Sequence, residues 1–166
     1  MTDIQERAAR VQLVVFDVDG VFTDGRLYYS AIGEALKAFH VRDGHGIKLL
    51  LKHGIQAAVI SGRKSTAVTR RMRELGITHV FQGNDDKRPI LEKLLQTLGL
   101  DPQQTACVGD DLADLPLMDA AGLPIAVADA HPEVRARAQF VTLARGGEGA
   151  VREVCDLIIA ARNSNG

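Results

Sequence analysis

Five short apolar runs rich in β-branched residues recur along this chain, each followed by a stretch of helical spacing. No other feature restricts the fold as much. Residues 13–16, 57–60, 79–81, 106–108 and 125–127 read as buried parallel strands. The helical stretches between them run to glycine: 49–53 stops at Gly54, 65–75 at Gly76 and 91–98 at Gly99. Pro89 falls in the opening turn of the third, where a missing N–H costs little, and an amphipathic stretch over 151–161 closes the chain. Such alternation gives an α/β, Rossmann-like parallel sheet with helices on both faces. Right-handed crossovers then set every strand's C-terminal end on one edge, where open α/β sheets bind ligands. One stretch breaks the rhythm: 26–30 and 35–39 flank a turn-like 31–34 and read as a β-hairpin inserted after the first strand. With no internal repeat, low-complexity tract or linker, residues 1–166 read as a single domain.

Composition excludes several classes of partner. A formal net charge of -1 creates no global field to recruit nucleic acid or an anionic membrane, and 4% aromatic residues leave few platforms for stacking bases. The two cysteines, Cys107 and Cys155, are far apart and lack metal-ligand spacing, which argues against a disulfide framework or a zinc site. His40, His45, His53, His79 and His131 show no i,i+4 pair that would suit zinc. The polar N-terminus does not read as a signal peptide and no apolar stretch reaches membrane-spanning length, so a cytoplasmic location is expected.

The chemistry gathers at the ends of the expected strands. The first runs into Asp17-Val-Asp-Gly-Val-Phe-Thr-Asp24, the second into Ile60-Ser-Gly-Arg63 and the fourth into Val108-Gly-Asp-Asp-Leu-Ala-Asp114, while Lys87 opens the helix before the fourth. Folding would bring Asp17, Asp19, Asp110 and Asp111 around one crevice. Carboxylates crowded in this way repel, and their pKa values rise unless a cation neutralises them. Oxygen ligands without His or Cys select Mg²⁺, which keeps water positions open for a phosphate.

Asp17, Asp19, Ser61, Lys87 and the Gly109-Asp-Asp111 run resemble, in order and on the expected elements, the four motifs of the haloacid dehalogenase superfamily. The resemblance implies a phosphatase in which Asp17 attacks phosphorus and becomes an aspartyl-phosphate. It makes Asp19 the general acid and then base, with Mg²⁺ on the Asp17 carboxylate, the Asp19 carbonyl and Asp110. Ser61 and Lys87 would stabilise the phosphoryl oxygens. Asp111 would orient metal-bound water or the Lys87 ammonium, and Asp114 reads equally as a supporting carboxylate or a first-turn helix residue. Only a hairpin follows the first strand and only a short loop the third, so no cap domain is expected. Water exclusion would then need another copy of the chain.

Further stretches narrow the resemblance. Asp17 to Val21 with Thr23 to Gly25, Phe39 to Ile47, Ile60 to Lys64, Val108 to Asp111, Ala126 to His131 and Gly146 to Glu153 are similar to the capless 3-deoxy-D-manno-octulosonate 8-phosphate phosphatases. That family implies a homotetramer whose hairpins build a central barrel, and a phosphorylated eight-carbon sugar acid as substrate in bacterial lipopolysaccharide synthesis. It implies substrate contacts from Asp19, a loop of His40, Val41, Arg42, Asp43 and Gly44, and from Lys48, Arg63, Arg71 and Lys87. The family's usual residues at His40 and Lys48 are asparagine and arginine; Lys48 keeps the charge but loses the bidentate fork. A cation at Arg63 suits a substrate that carries a carboxylate as well as a phosphate.

Three rivals remain at this point. A receiver-like signalling domain also clusters aspartates with Mg²⁺ and a lysine, but its first strand ends in an acidic pair rather than Asp-x-Asp. A phosphatase domain retained as an assembly module would not need the complete motif set. A phosphatase for a nine-carbon sugar acid tends to carry an acidic residue in place of Arg63. The Arg145-Gly-Gly-Glu-Gly149 run lacks the Lys-Ser/Thr ending of a nucleotide loop and reads as flexible glycines that approach a neighbouring subunit.

Overall fold

The computed structural model describes residues 2–166. In chain order they form α1 (Asp3–Arg10), β1 (Leu13–Phe16), β2 (Tyr28–Ser30), β3 (Gly33–Leu36), α2 (Val41–Lys52), β4 (Gln56–Ser61), α3 (Thr66–Leu75) and β5 (His79–Gln82). There follow α4 (Arg88–Leu98), β6 (Thr105–Gly109), α5 (Leu115–Ala120), β7 (Leu123–Ala126), α6 (Pro132–Arg137), β8 (Phe140–Val141) and α7 (Ala150–Ser164).

Six strands make one parallel sheet in the order β5-β4-β1-β6-β7-β8. All four residues of β1 are buried, which is why its sequence is continuously apolar instead of alternating. Helices α1, α2, α3 and α7 pack with one another, and α4, α5 and α6 form a second group, as two layers on a parallel sheet require. From β1 the chain winds outward through β4 and β5, then returns to β6 and winds the other way. The reversal opens a crevice beyond the ends of β1 and β6, the place where such sheets take ligands.

The loop after β1 is pinned from below. Val18, Val21 and Phe22 are buried, and Phe22 meets Phe16 edge to face with ring centroids 5.3 Å apart. The N–H groups of Val21, Phe22 and Thr23 all donate to the Val18 carbonyl, at 3.1, 2.9 and 3.2 Å. Gly20 sits at φ 89°, and a Cβ there would overlap the Asp110 carboxylate.

Two expected boundaries move. The hairpin turns over residues 31–32 and not over 31–34, because Gly33 takes φ 118° and Ser30 caps the turn through Oγ, accepting from the Ile32 N–H at 3.3 Å. Helix α2 begins at Val41, eight residues before the expected start, so residues 40–44 are a helix cap and first turn rather than a loop. Gly44 and Gly46 disguise this start, since glycine disfavours helix. Here both serve close packing: a Cβ on Gly46 would press on Arg152 and Cys155 of α7, and one on Gly44 would overlap the Arg71 guanidinium. No helix among the described residues is long and apolar enough to cross a membrane.

Candidate active site

Asp17 follows β1 directly, and its carboxylate Oδ1 lies 3.0 Å from the Lys87 Nζ. The same ammonium donates to Asp114 Oδ1 at 2.8 Å, and both Lys87 and Asp114 are buried. Asp114 Oδ2 accepts the N–H groups of Asp110 and Asp111 at 3.0 and 3.3 Å, which fixes the turn that presents Asp110. A Cβ at Gly109 would overlap the Asp114 side chain, so a glycine at the end of β6 lets this turn close. Asp114 thus supports the turn and the lysine. Asp111 does not hold Lys87: it caps the next turn by accepting the Leu112 N–H at 2.8 Å.

One oxygen each from Asp17, Asp110 and Asp114 lies within 4.8 Å of the others. Burial, then repulsion from Asp114, pushes the Asp17 carboxyl up to about 6 despite Lys87. Burial and repulsion from Asp17 and Asp114 push Asp110 up to about 9. Burial alone would lower Lys87, but the Asp17 and Asp114 charges outweigh it and raise the ammonium. One lysine therefore falls short of neutralising the three acids. An oxygen-only set with an uncompensated negative charge fits a hard divalent cation. Because Asp114 is already committed to Lys87 and two N–H groups, Asp17 and Asp110 are the carboxylates available to ligate it.

The hairpin supplies a second set of groups that the sequence did not reveal. Lys37, just after β3, extends its ammonium to Asp19 Oδ1 at 2.6 Å with its side chain only 2% exposed. Glu34 lies 3.4 Å from Lys37 and 3.7 Å from Arg63, and Arg63 Nε lies 3.8 Å from Asp19 Oδ2. Tyr29 accepts from the Arg63 guanidinium at 2.9 Å, and Ser65 Oγ donates to Glu34 at 2.8 Å. Nothing in the spacing of Glu34 and Lys37 announces this. Lys37 meets Asp19, and Glu34 meets Lys37 and Arg63, only because the hairpin folds back over the end of β1.

Ser61 ends β4 as a buried residue beside the cluster's strand edge. Other expected contact residues turn elsewhere within this chain. His40 is the N-cap of α2, its Nδ1 accepting the Arg42 N–H at 3.1 Å. Asp43 is buried, and its Oδ1 accepts the Arg152 N–H at 3.0 Å, capping α7 where Gly149 brings no side chain. Gly44 packs against Arg71, whose guanidinium carbon stands 6.0 Å from the centre of the Phe39 ring and whose Nη1 lies 3.6 Å from Glu74. Val41, Arg42 and Lys48 are exposed. The Arg145 to Gly149 segment packs on the loop after β1 of its own chain: the Gly147 N–H donates to the Val21 carbonyl at 3.0 Å, and a Cβ at Gly146 would overlap the Gly20 carbonyl.

Comparison with known proteins gives a consistent picture. Residues 77–154 match the model of a family described as haloacid dehalogenase-like hydrolase. The 3-deoxy-D-manno-octulosonate 8-phosphate phosphatase KdsC of Yersinia pestis is 50% identical over 161 residues, spanning 97% of this chain and 86% of the relative. A solved structure of that phosphatase from Yersinia pestis superposes with a TM-score of 0.95 at 50% identity, covering 97% of this chain and 87% of the other. The Moraxella catarrhalis phosphatase, solved with a magnesium ion, a phosphate ion and KDO, superposes with a TM-score of 0.95 at 43% identity, covering 99% of this chain and 94% of that one.

Proposed function

The chain belongs to the 3-deoxy-D-manno-octulosonate 8-phosphate phosphatases of the haloacid dehalogenase-like hydrolases, and from that membership we propose that it hydrolyses the 8-phosphate ester in two steps on Asp17. In the first, an Asp17 oxygen forms a bond to phosphorus as the ester P–O bond breaks, and Asp19 gives a proton to the departing sugar alkoxide. In the second, Asp19 takes a proton from water, the water oxygen attacks phosphorus, and the Asp17–phosphorus bond breaks to release phosphate. Lys87 holds Asp17 in place and, with Ser61, faces the phosphoryl oxygens. Asp17, Asp110 and the backbone carbonyl of Asp19 would hold Mg²⁺, which would supply positive charge against the phosphoryl oxygens. Asp114 supports Lys87 and the Asp110 turn, and Asp111 steers water. The observation that carries this reading is the convergence of Asp17, Asp110 and Lys87 beyond adjoining strands, with more acid than the lysine balances.

Arg63 is the reader of the sugar-acid carboxylate, beside the general acid. Val41 and Arg42 at the start of α2 and Lys48 further along it are the exposed contributors, beside the half-buried cap His40, with Asp43, Gly44 and Arg71 shaping that turn from beneath. The chain acts as one domain in the cytoplasm, as a homotetramer joined through the hairpin, where Ile32 is 99% and Tyr29 62% exposed. Its product feeds lipopolysaccharide synthesis. A panel of sugar phosphates scored by released phosphate tests the assignment. With Mg²⁺, 3-deoxy-D-manno-octulosonate 8-phosphate should exceed neutral sugar phosphates by at least about 100-fold in kcat/KM, and chelation should abolish turnover. A flat panel would remove the substrate assignment.

A further inference from the structure

Asp19, Lys37, Glu34 and Arg63 form a closed ring of alternating charge, with successive separations of 2.6, 3.4, 3.7 and 3.8 Å. Its members come from three places: the loop after β1, the hairpin, and the loop between β4 and α3. We propose that Lys37 is a positioning residue of the reaction, holding the Asp19 carboxylate in the orientation from which it delivers a proton to the leaving oxygen. The inference rests on the assignment of Asp19 as general acid given above.

Three observations support it. The contact to Asp19 is the shortest in the ring, and it falls on a carboxylate that is still 20% exposed, its other oxygen lying 3.8 Å from Arg63 Nε. The Lys37 side chain is nearly sealed from water, at 2% exposure, and a charge held there carries a desolvation penalty that an apolar residue at the same place would avoid. A peg that merely anchored the hairpin would not need the charge. Glu34 is in turn tied to Ser65, the N-cap of α3, so the far side of the ring is fixed to a helix and Lys37 has a rigid base. A proton donor misplaced by about 1 Å forfeits much of its rate advantage, so orientation here bears directly on chemistry.

The consequence is a dependence on the leaving group. Nitrophenolates depart without a proton, whereas phenolate and alkoxides need one. A series of aryl phosphates running from dinitrophenyl to phenyl, which present no sugar to recognise, isolates the proton from substrate binding. We expect the plot of kcat/KM against leaving-group acidity to be shallow in the wild type and steep in Lys37→Met, with a loss of about ten-fold or more on phenyl phosphate and about three-fold or less on dinitrophenyl phosphate. Lys37→Arg, which keeps a cation in the ring, should recover most of the loss. Equal losses along the whole series, or none, would overturn the inference. Asp19→Asn separates the role of Lys37 from the general-acid role of Asp19. A steep Asp19→Asn series beside a flat Lys37→Met series would overturn the role of Lys37 alone. A flat Asp19→Asn series would overturn the general-acid assignment and this inference with it.

Discussion

Asp110 is a carboxyl governed by its neighbours, raised to about 9 by burial and by the charges of Asp17 and Asp114, while Asp17 is raised to about 6. Both folded values lie above the ordinary aspartate value of about 3.9, so in the metal-free chain these groups favour folding below that pH, and the benefit is lost as pH rises through about 6 and then about 9. A divalent cation reverses the balance, because it binds the ionised pair. Magnesium should therefore raise the melting temperature by roughly 2–4 °C more at pH 8.5 than at pH 5.5, with protons released on binding at neutral pH. Equal shifts at the two pH values, or binding without proton release, would contradict the site. At this scale the sequence was legible wherever a polar residue directly follows a buried strand. Asp17 and Asp110 stand next to continuous apolar runs, and strand direction alone sends them to one edge. The two readings of Asp114 could not be separated without its partners, and its buried contact with Lys87 supports the first. Lys37 and Glu34 could not be found at all, since their roles depend on how a hairpin folds back.

Among the elements, the glycines were the hardest to interpret. A run such as Gly146-Gly147 invites a reading of flexibility, yet both residues lie against the catalytic loop of their own chain, where a side chain would overlap Gly20, Thr23 or Asp24 backbone. Packed there, the segment braces the loop that carries Asp17 and Asp19. Gly146→Ala should push that loop out of register, lowering stability by about 1–3 kcal/mol and kcat/KM by about ten-fold or more, as read by thermal melting and phosphate release. A variant of unchanged stability and activity would show that the brace is slack. Gly44 and Gly46 concealed the first two turns of α2 for the same reason, because packing against Arg71 and α7 overrode helix propensity. The long strands and the helices α3, α4 and α7 were readable from periodicity, capping and terminal glycines. Short pieces such as α5, α6 and β8 were not, having too few residues to express a period.

For the whole molecule, the absence of any insertion beyond the hairpin leaves the crevice open, with only residues 83–87 between β5 and α4. The hairpin that reaches over Asp19 also presents Leu27, Tyr29, Ile32 and Leu36 to solvent, more apolar surface than a two-stranded ribbon keeps exposed without a partner. The purified chain should run as four copies by light scattering, and Ile32→Glu should shift it toward monomers with reduced activity on the sugar acid. A monomeric wild type at micromolar concentration would contradict assembly through this surface. The alternation of strand and helix carried the architecture from sequence to structure, since parallel pairing leaves few ways to connect such elements. What the alternation could not convey was the reach of the hairpin, which is set by tertiary contact. Turnover rests on one event, the transfer of a phosphoryl group to the carboxylate at the end of β1. Rapid acid quench after mixing the Mg²⁺-loaded protein with substrate labelled in its phosphate, followed by peptide mapping, reads that event directly. The label should appear within the first turnover on the peptide containing Asp17, vanish in Asp17→Asn and be released by hydroxylamine. Turnover with no protein-bound label, or with label on another residue, would contradict it.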